Sequence, residues 1–201
     1  MRRGLIIAIS FIVLVLAISI GVVTWGIGAY NSLVALDEAV TQAWSQVQNQ
    51  YQRRLDLIPN LVETVRGYAK QEQEVFTKVT EARAKVGQFT VTPQVLNDPA
   101  SLKKFEELQG EVSSALSRLL AVAENYPNLK SSENFLTLQS QLEGTENRIA
   151  VERRRFNEAV QQYNTKVRRF PISIVAGFGG FGTKAYFAAE ASAGEAPKVK
   201  F

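Results

Sequence analysis

The sequence predicts an all-α chain: an N-terminal transmembrane helix, an antiparallel four-helix bundle, and a short irregular Gly/aromatic C-terminal tail. Three features predict it. Residues 4–36 carry no charge, whereas charges recur every few residues from Asp37 onward. Beyond Tyr30, apolar residues return at three- and four-residue spacing in four successive stripes. Prolines 59, 93, 99 and 127 fall between those stripes, where helices start or stop.

Residues 1–29 form the expected anchor. Leu5–Val23 is apolar except for Ser10, Ser19 and Gly21, and a helix of that length spans about 28 Å against a hydrocarbon core of about 30 Å. Trp25 and Tyr30 follow at the position of interfacial aromatics. Ile27-Gly28-Ala29 would serve as a cleavage site, but the apolar run is longer than a signal-peptide core, so an uncleaved single-pass anchor is the reading. Arg2 and Arg3 precede the span, and Asp37 and Glu38 are the first charges after it. The positive-inside rule then puts the N-terminus in the cytoplasm and the bundle outside the cell membrane.

Residues 30–170 form the bundle, with helices expected at about 30–56, 57–86, 99–126 and 132–169. The stripes run Leu33, Leu36, Val40, Trp44, Val47, Tyr51, Leu55; then Val62 to Val86; then Leu102 to Tyr126; then Phe135 to Phe170. Asp98-Pro99 is an N-cap followed by proline at the first helical position. Tyr126-Pro127-Asn128 ends the third helix, and Ser131 or Ser132 can cap the fourth. Asp56 can cap a new helix with Pro59 in its first turn; the alternative is that Pro59 only kinks one long helix. Matched lengths of roughly 40–57 Å favour the break. A break brings Phe170 back to the membrane, whereas an unbroken helix leaves three helices and sends the tail to the far pole.

Composition narrows the chemistry. The chain has no Cys and no His, which removes disulfides, thiolate zinc, a Cys nucleophile and the commonest general base and metal ligand. All cations except Arg2 and Arg3 follow Leu36 together with all 19 acids. The large region is therefore near neutral, and a pI of 9.4 does not indicate nucleic acid. No enzymatic activity, catalytic residue, cofactor, metal or small-molecule substrate is expected.

Polar residues interrupt the stripes at Glu72, Glu146 and Arg153. A charge facing inward there must be paired, and pairing of Glu146 and Arg153 with Arg53, Arg54 or Glu72 would set helix register. A di-iron centre would lack its His ligands. At the expected far pole, Gln50, Arg53, Arg54, Asp56 and Asn60 are either hairpin chemistry or a docking tip for a partner. Lys166, Arg168 and Arg169 suit anionic head groups and equally suit the negative end of the helix dipole.

Residues 171–201 form the tail. Ile172–Ala176 is a short β-prone run, and Phe178 and Phe181 are further membrane-interface candidates. Gly177–Gly182 matches G-x-G-x-x-G, but too few residues follow for a dinucleotide site; Gly182-Thr183-Lys184 has the wrong order for a phosphate loop. Ala188–Lys200 reads as extended.

Several segments together resemble the signature of the bacterial LemA family: Trp44–Val47, Asn49–Arg54, Asp56–Val62, Gly67-Tyr68, Ala82-Arg83, Tyr126–Lys130, Leu142–Ala150, Tyr163-Asn164, Phe170-Pro171, Phe187 and Pro197–Phe201. The resemblance covers nearly the whole chain. It implies a single-pass protein with a helical bundle and no settled chemistry, with envelope or membrane organisation as a theme by analogy. The expected role is an envelope scaffold or adaptor that contacts the lipid bilayer, an envelope protein and further copies of itself. The alternative is a membrane-shaping protein that uses the last helix and aromatic tail, and the third is an enzyme or metal-binding regulator at the mid-bundle carboxylates.

Overall fold

The computed structural model describes residues 2–89 and 93–188, without the side chains of residues 2–5, 8, 93 and 94. The expectations for Ala189–Phe201 lie outside the described residues. Every regular element among the described residues is helical. The first, α1, is Arg2–Tyr68, 67 residues without interruption, or about 100 Å. Its apolar part is long enough to cross a membrane, and among the described residues none before Ala29 is buried by the rest of the chain. Burial begins at Ala29 and continues through Leu33, Val40, Trp44, Val47, Tyr51, Leu55, Ile58 and Val65, one stripe at helical spacing.

The expected break at Asp56–Pro59 does not occur. A proline inside a helix deprives the carbonyl four residues earlier of its donor and costs about 3 kcal/mol. Here that carbonyl belongs to Leu55, and Arg83 Nε donates to it across 3.2 Å. Pro59 itself faces solvent. The chain turns later, at Ala69–Glu72, where the polar run Lys70–Glu74 offers no inward apolar residue between Ala69 and Val75.

Helix α2 is Gln73–Gln88, half the length expected of a second helix reaching back from Leu57. A 3-10 turn, Pro93–Asn97, precedes α3, Pro99–Ala123. Asp98 caps α3 through the Ala100 and Ser101 amides, both at 3.1 Å. A single turn, α4 at Pro127–Lys130, leads into α5, Glu133–Arg168. On α1 and α5, Arg54 meets Glu146 and Trp44 meets Phe156, so rising numbers on one helix meet falling numbers on the other. Lys85 on α2 pairs with Glu111 on α3 at 2.7 Å. The extra turn at Ala69–Glu72 means that the tail returns to the start of the column even though α1 is unbroken.

The run Ile172–Ala176 is helix, not strand: α6 is Ile172–Gly179. The β-preference of Ile and Val is mostly a preference for a half-buried surface, and α6 supplies one by burying Ala176 and leaning Ile172 and Val175 on the core. Gly180, at φ 74°, closes it in the left-handed conformation that glycine adopts freely, and the Phe181 amide donates to the Ala176 carbonyl at 3.0 Å. Gly177 and Gly179 therefore lie in a helix, and no nucleotide loop forms.

The Arg83 bond explains how α1 survives Pro59. Arg83→Met is expected to cost about 1–2 kcal/mol in urea unfolding, because the Leu55 carbonyl loses the donor that stands in for the missing Pro59 amide. In a Pro59→Ala background, where a backbone amide returns, the same change should cost less than about 0.5 kcal/mol.

Candidate functional site

The buried apolar side chains fall into two clusters. One holds Leu55, Ile58, Phe76, Val112, Leu119 and Leu142; the other holds Leu33, Trp44, Tyr51, Phe105, Ile149, Phe156 and Phe187. The step between them along α1 is Arg54, which is 2% exposed. Its Nη1 donates to Ser113 Oγ at 2.8 Å and Glu146 Oε1 at 2.9 Å. Its Nη2 donates to the Gln109 carbonyl at 3.2 Å and to Gln109 Oε1 at 2.5 Å. The guanidinium also lies 5.1 Å from the Tyr51 ring centre. The layer thus joins α1, α3 and α5.

One wall of this layer opens into a cleft of about 890 Å³, lined in part by Lys103, Glu106, Glu107, Glu146 and Arg153. Arg153 Nη2 donates to Glu106 Oε1 at 2.8 Å and to the Ala188 carbonyl at 3.1 Å, with its guanidinium 4.7 Å from the Phe187 ring. Burial pushes the Glu106 carboxyl upward, and Arg153 pulls it back. Burial likewise raises the Tyr51 phenol. Among the described residues no three carboxylates stand together as a metal centre.

The tail forms the other wall. Asn164 donates from Nδ2 to the Lys184 carbonyl at 2.9 Å and accepts from the Lys184 amide at 2.8 Å. Seven residues earlier, Asn157 treats Phe187 the same way, at 3.1 and 2.9 Å. The Ala185 amide donates to the Leu96 carbonyl at 2.9 Å. Two side-chain amides thus replace the partner strand that an extended segment would otherwise need. Lys184 Nζ lies 2.7 Å from Asp37, and the Phe187 ring packs against Trp44 and Phe156. Burial, with Asp37 nearby, pushes the Tyr163 phenol up to about 12.

The sequence candidates are redistributed. Arg54 was expected either at a tip or as a partner of Glu146; it lies in mid-column, paired with Glu146 as the buried centre of the polar layer. Gln50, Arg53, Asp56 and Asn60 occupy the same stretch of α1, not the far pole. Asp56 accepts from Gln52 at 2.7 Å, and Arg53 and Asn60 are exposed. The far turn holds Glu72, which accepts from the Tyr126 hydroxyl at 3.4 Å and is remote from the layer. Arg153 bonds Glu106, a residue not singled out from the sequence. Of the interface candidates, Tyr30 meets Phe181 at 5.4 Å between ring centres, and Trp25, Arg168, Arg169 and Phe178 are exposed while Lys166 is half-buried. Gln109, Ser113, Asp37, Asn157, Asn164 and Lys184 were missed. The heptad spacing of Asn157 and Asn164 beside the apolar stripe of α5 was the available signal for two of them.

These features define an all-helical protein with one long apolar N-terminal helix and a column pinned by an internal arginine. A sequence model of the LemA family matches residues 43–201, and the chain belongs to that family. The magnetosome protein MamQ of Magnetospirillum gryphiswaldense is 28% identical over 186 residues, which cover 85% of this chain and 68% of that protein. Magnetosome protein MamQ 2 of Paramagnetospirillum magneticum is 27% identical over the same shares. Protein LemA of Metamycoplasma hominis is 25% identical, covering 83% of this chain and 72% of its own length.

Glu146 is the carboxylate that faces buried Arg54, and its side chain is 42% exposed. Glu146→Gln should destabilise the fold by about 2–3 kcal/mol, below the ~3–5 of a fully buried pair because water reaches the carboxylate. Adding Arg54→Met should cost clearly less than the sum of the two single changes, as a double-mutant cycle in urea will register.

Tyrosinate is disfavoured at Tyr163 in the fold. Its contribution is complete below the unfolded pKa of about 10 and is lost as pH rises through about 12. Absorbance titration should show a phenol ionising near pH 12, and Tyr163→Phe should remove it and reduce the alkaline loss of stability.

Proposed function

We propose that the chain is a membrane-anchored, non-enzymatic scaffold or adaptor of the bacterial envelope, built as an antiparallel four-helix bundle and active as an oligomer. The carrying observation is the continuity of α1. No turn or linker separates its bare apolar part from the buried stripe that begins at Ala29. A helix without a hinge transmits the direction of the span to the bundle, so the bundle stands as a post of fixed bearing on the bilayer. The polar layer serves architecture, since the Arg54 Nη groups and the contacting Arg153 nitrogen are occupied by protein acceptors. The N-terminus lies in the cytoplasm and the bundle outside, following the flanking charges.

A second reading, membrane shaping at the base of the column, draws support from α6. That helix carries no charge and exposes Phe178 beside the end of the apolar stretch.

Cross-linking in intact membranes followed by mass spectrometry tests the main reading. The expected result is links between copies and links to an envelope protein. Recovery of monomer alone would sink the oligomer, and recovery of the chain in the aqueous fraction would remove the anchor.

A further inference from the structure

No ionisable residue occurs from Phe170 to Thr183. Within that stretch the inward side of α6 buries Ala176, while Phe170, Ile174 and Phe178 are 77%, 52% and 92% exposed. They follow one another at four-residue spacing, and Ile174 and Phe178 share a face of α6. A helix that is apolar on both its inner and outer faces has an apolar neighbour on both. The core supplies one.

Helix α6 stands against the end of the bare stretch of α1. Between the two lies a groove of about 450 Å³, lined by Val23, Gly26, Ile27 and Tyr30 on α1 and by Val175 and Phe178 on α6. Two glycines shape it. A Cβ on Gly179 would stand 2.8 Å from the Phe181 ring and 3.2 Å from the Tyr30 ring, so glycine is what lets these groups close up. A Cβ on Gly26 would meet nothing within 4 Å, so the groove is open there.

Three observations indicate what fills it. Val23 and Ile27 belong both to the groove and to the uncovered apolar surface of α1, so the groove continues the surface that faces lipid. Its lining is hydrocarbon apart from the Tyr30 hydroxyl and main chain. Lys166, Arg168 and Arg169 stand at the adjoining end of α5, where the Arg169 carbonyl accepts the Ser173 amide of α6 at 2.9 Å. Among the described residues none of these cations is bonded to a carboxylate. Apolar groove and free cations in this order match a fatty acyl chain and its phosphate.

We propose that the junction of α1 and α6 is a binding site for an anionic phospholipid, with an acyl chain in the groove and the phosphate against Lys166, Arg168 and Arg169. The site rests on the reading that α1 crosses the bilayer. It gives the column a second hold on the membrane and limits rotation about the span.

The test uses the full chain, purified in mild detergent and titrated with phosphatidylglycerol or phosphatidylcholine under native mass spectrometry. The wild-type chain should retain phosphatidylglycerol in preference to phosphatidylcholine by about fivefold. Gly26→Leu, which plugs the open part of the groove, should lower retention of both lipids about tenfold at unchanged helicity and melting temperature. Arg168→Gln with Arg169→Gln should erase the preference while leaving phosphatidylcholine retention in place. Equal lipid retention by wild type and Gly26→Leu overturns the site. So does a dimer that Gly26→Leu abolishes and lipid does not affect, since the groove then holds a second span. Extraction of the chain from membranes by alkaline carbonate refutes the anchor and the site together. A chain that needs detergent but carries no lipid refutes the site alone.

Discussion

A guanidinium held out of water at mid-height of the column determines how three helices meet. Apolar contacts are non-directional, so the two clusters above and below Arg54 would tolerate sliding of one helix along another. Arg54 does not. Its two terminal nitrogens have fixed directions, and they find Ser113 and Gln109 on α3 and Glu146 on α5 in one arrangement. A shift of one turn would strand a buried charge, which costs far more than a shifted methyl group.

The same logic extends to the tail. An extended segment laid on a helix has backbone groups with no ladder to join. Asn157 and Asn164 each accept from one amide and donate to one carbonyl of that segment, and Lys184 anchors it to Asp37. Phe187 can then complete the aromatic cluster around Trp44. The tail is therefore a structural wall against α5, and it ties α6 to the base of the column.

Much of this was legible in the residues. The bare stretch, the Asp98 cap and the apolar stripes follow from charge distribution, capping chemistry and helical periodicity, all local properties. Membership of the LemA family was legible too, from Trp44–Val47, Asp56–Val62 and Leu142–Ala150. Polar interruptions at Glu146 and Arg153 signalled that charges face inward. Arg54 was among the partners named for Glu146, whereas Glu106 was not named for Arg153; with 92 and 47 positions between the members of the two pairs, no local pattern singles either one out.

Local chemistry was enough to establish helices, a long uncharged leader and the need for an internal counter-charge. Three-dimensional packing decided the remainder. Pro59 continues a helix because Arg83, on another element, supplies the missing donor. Ile172–Ala176 coils because the core offers α6 a face to bury. Arg54 is an interior residue and not a tip because the chain turns at Ala69–Glu72 instead of Asp56. In each case the local preference is weak, and a contact with a distant part of the chain overrides it.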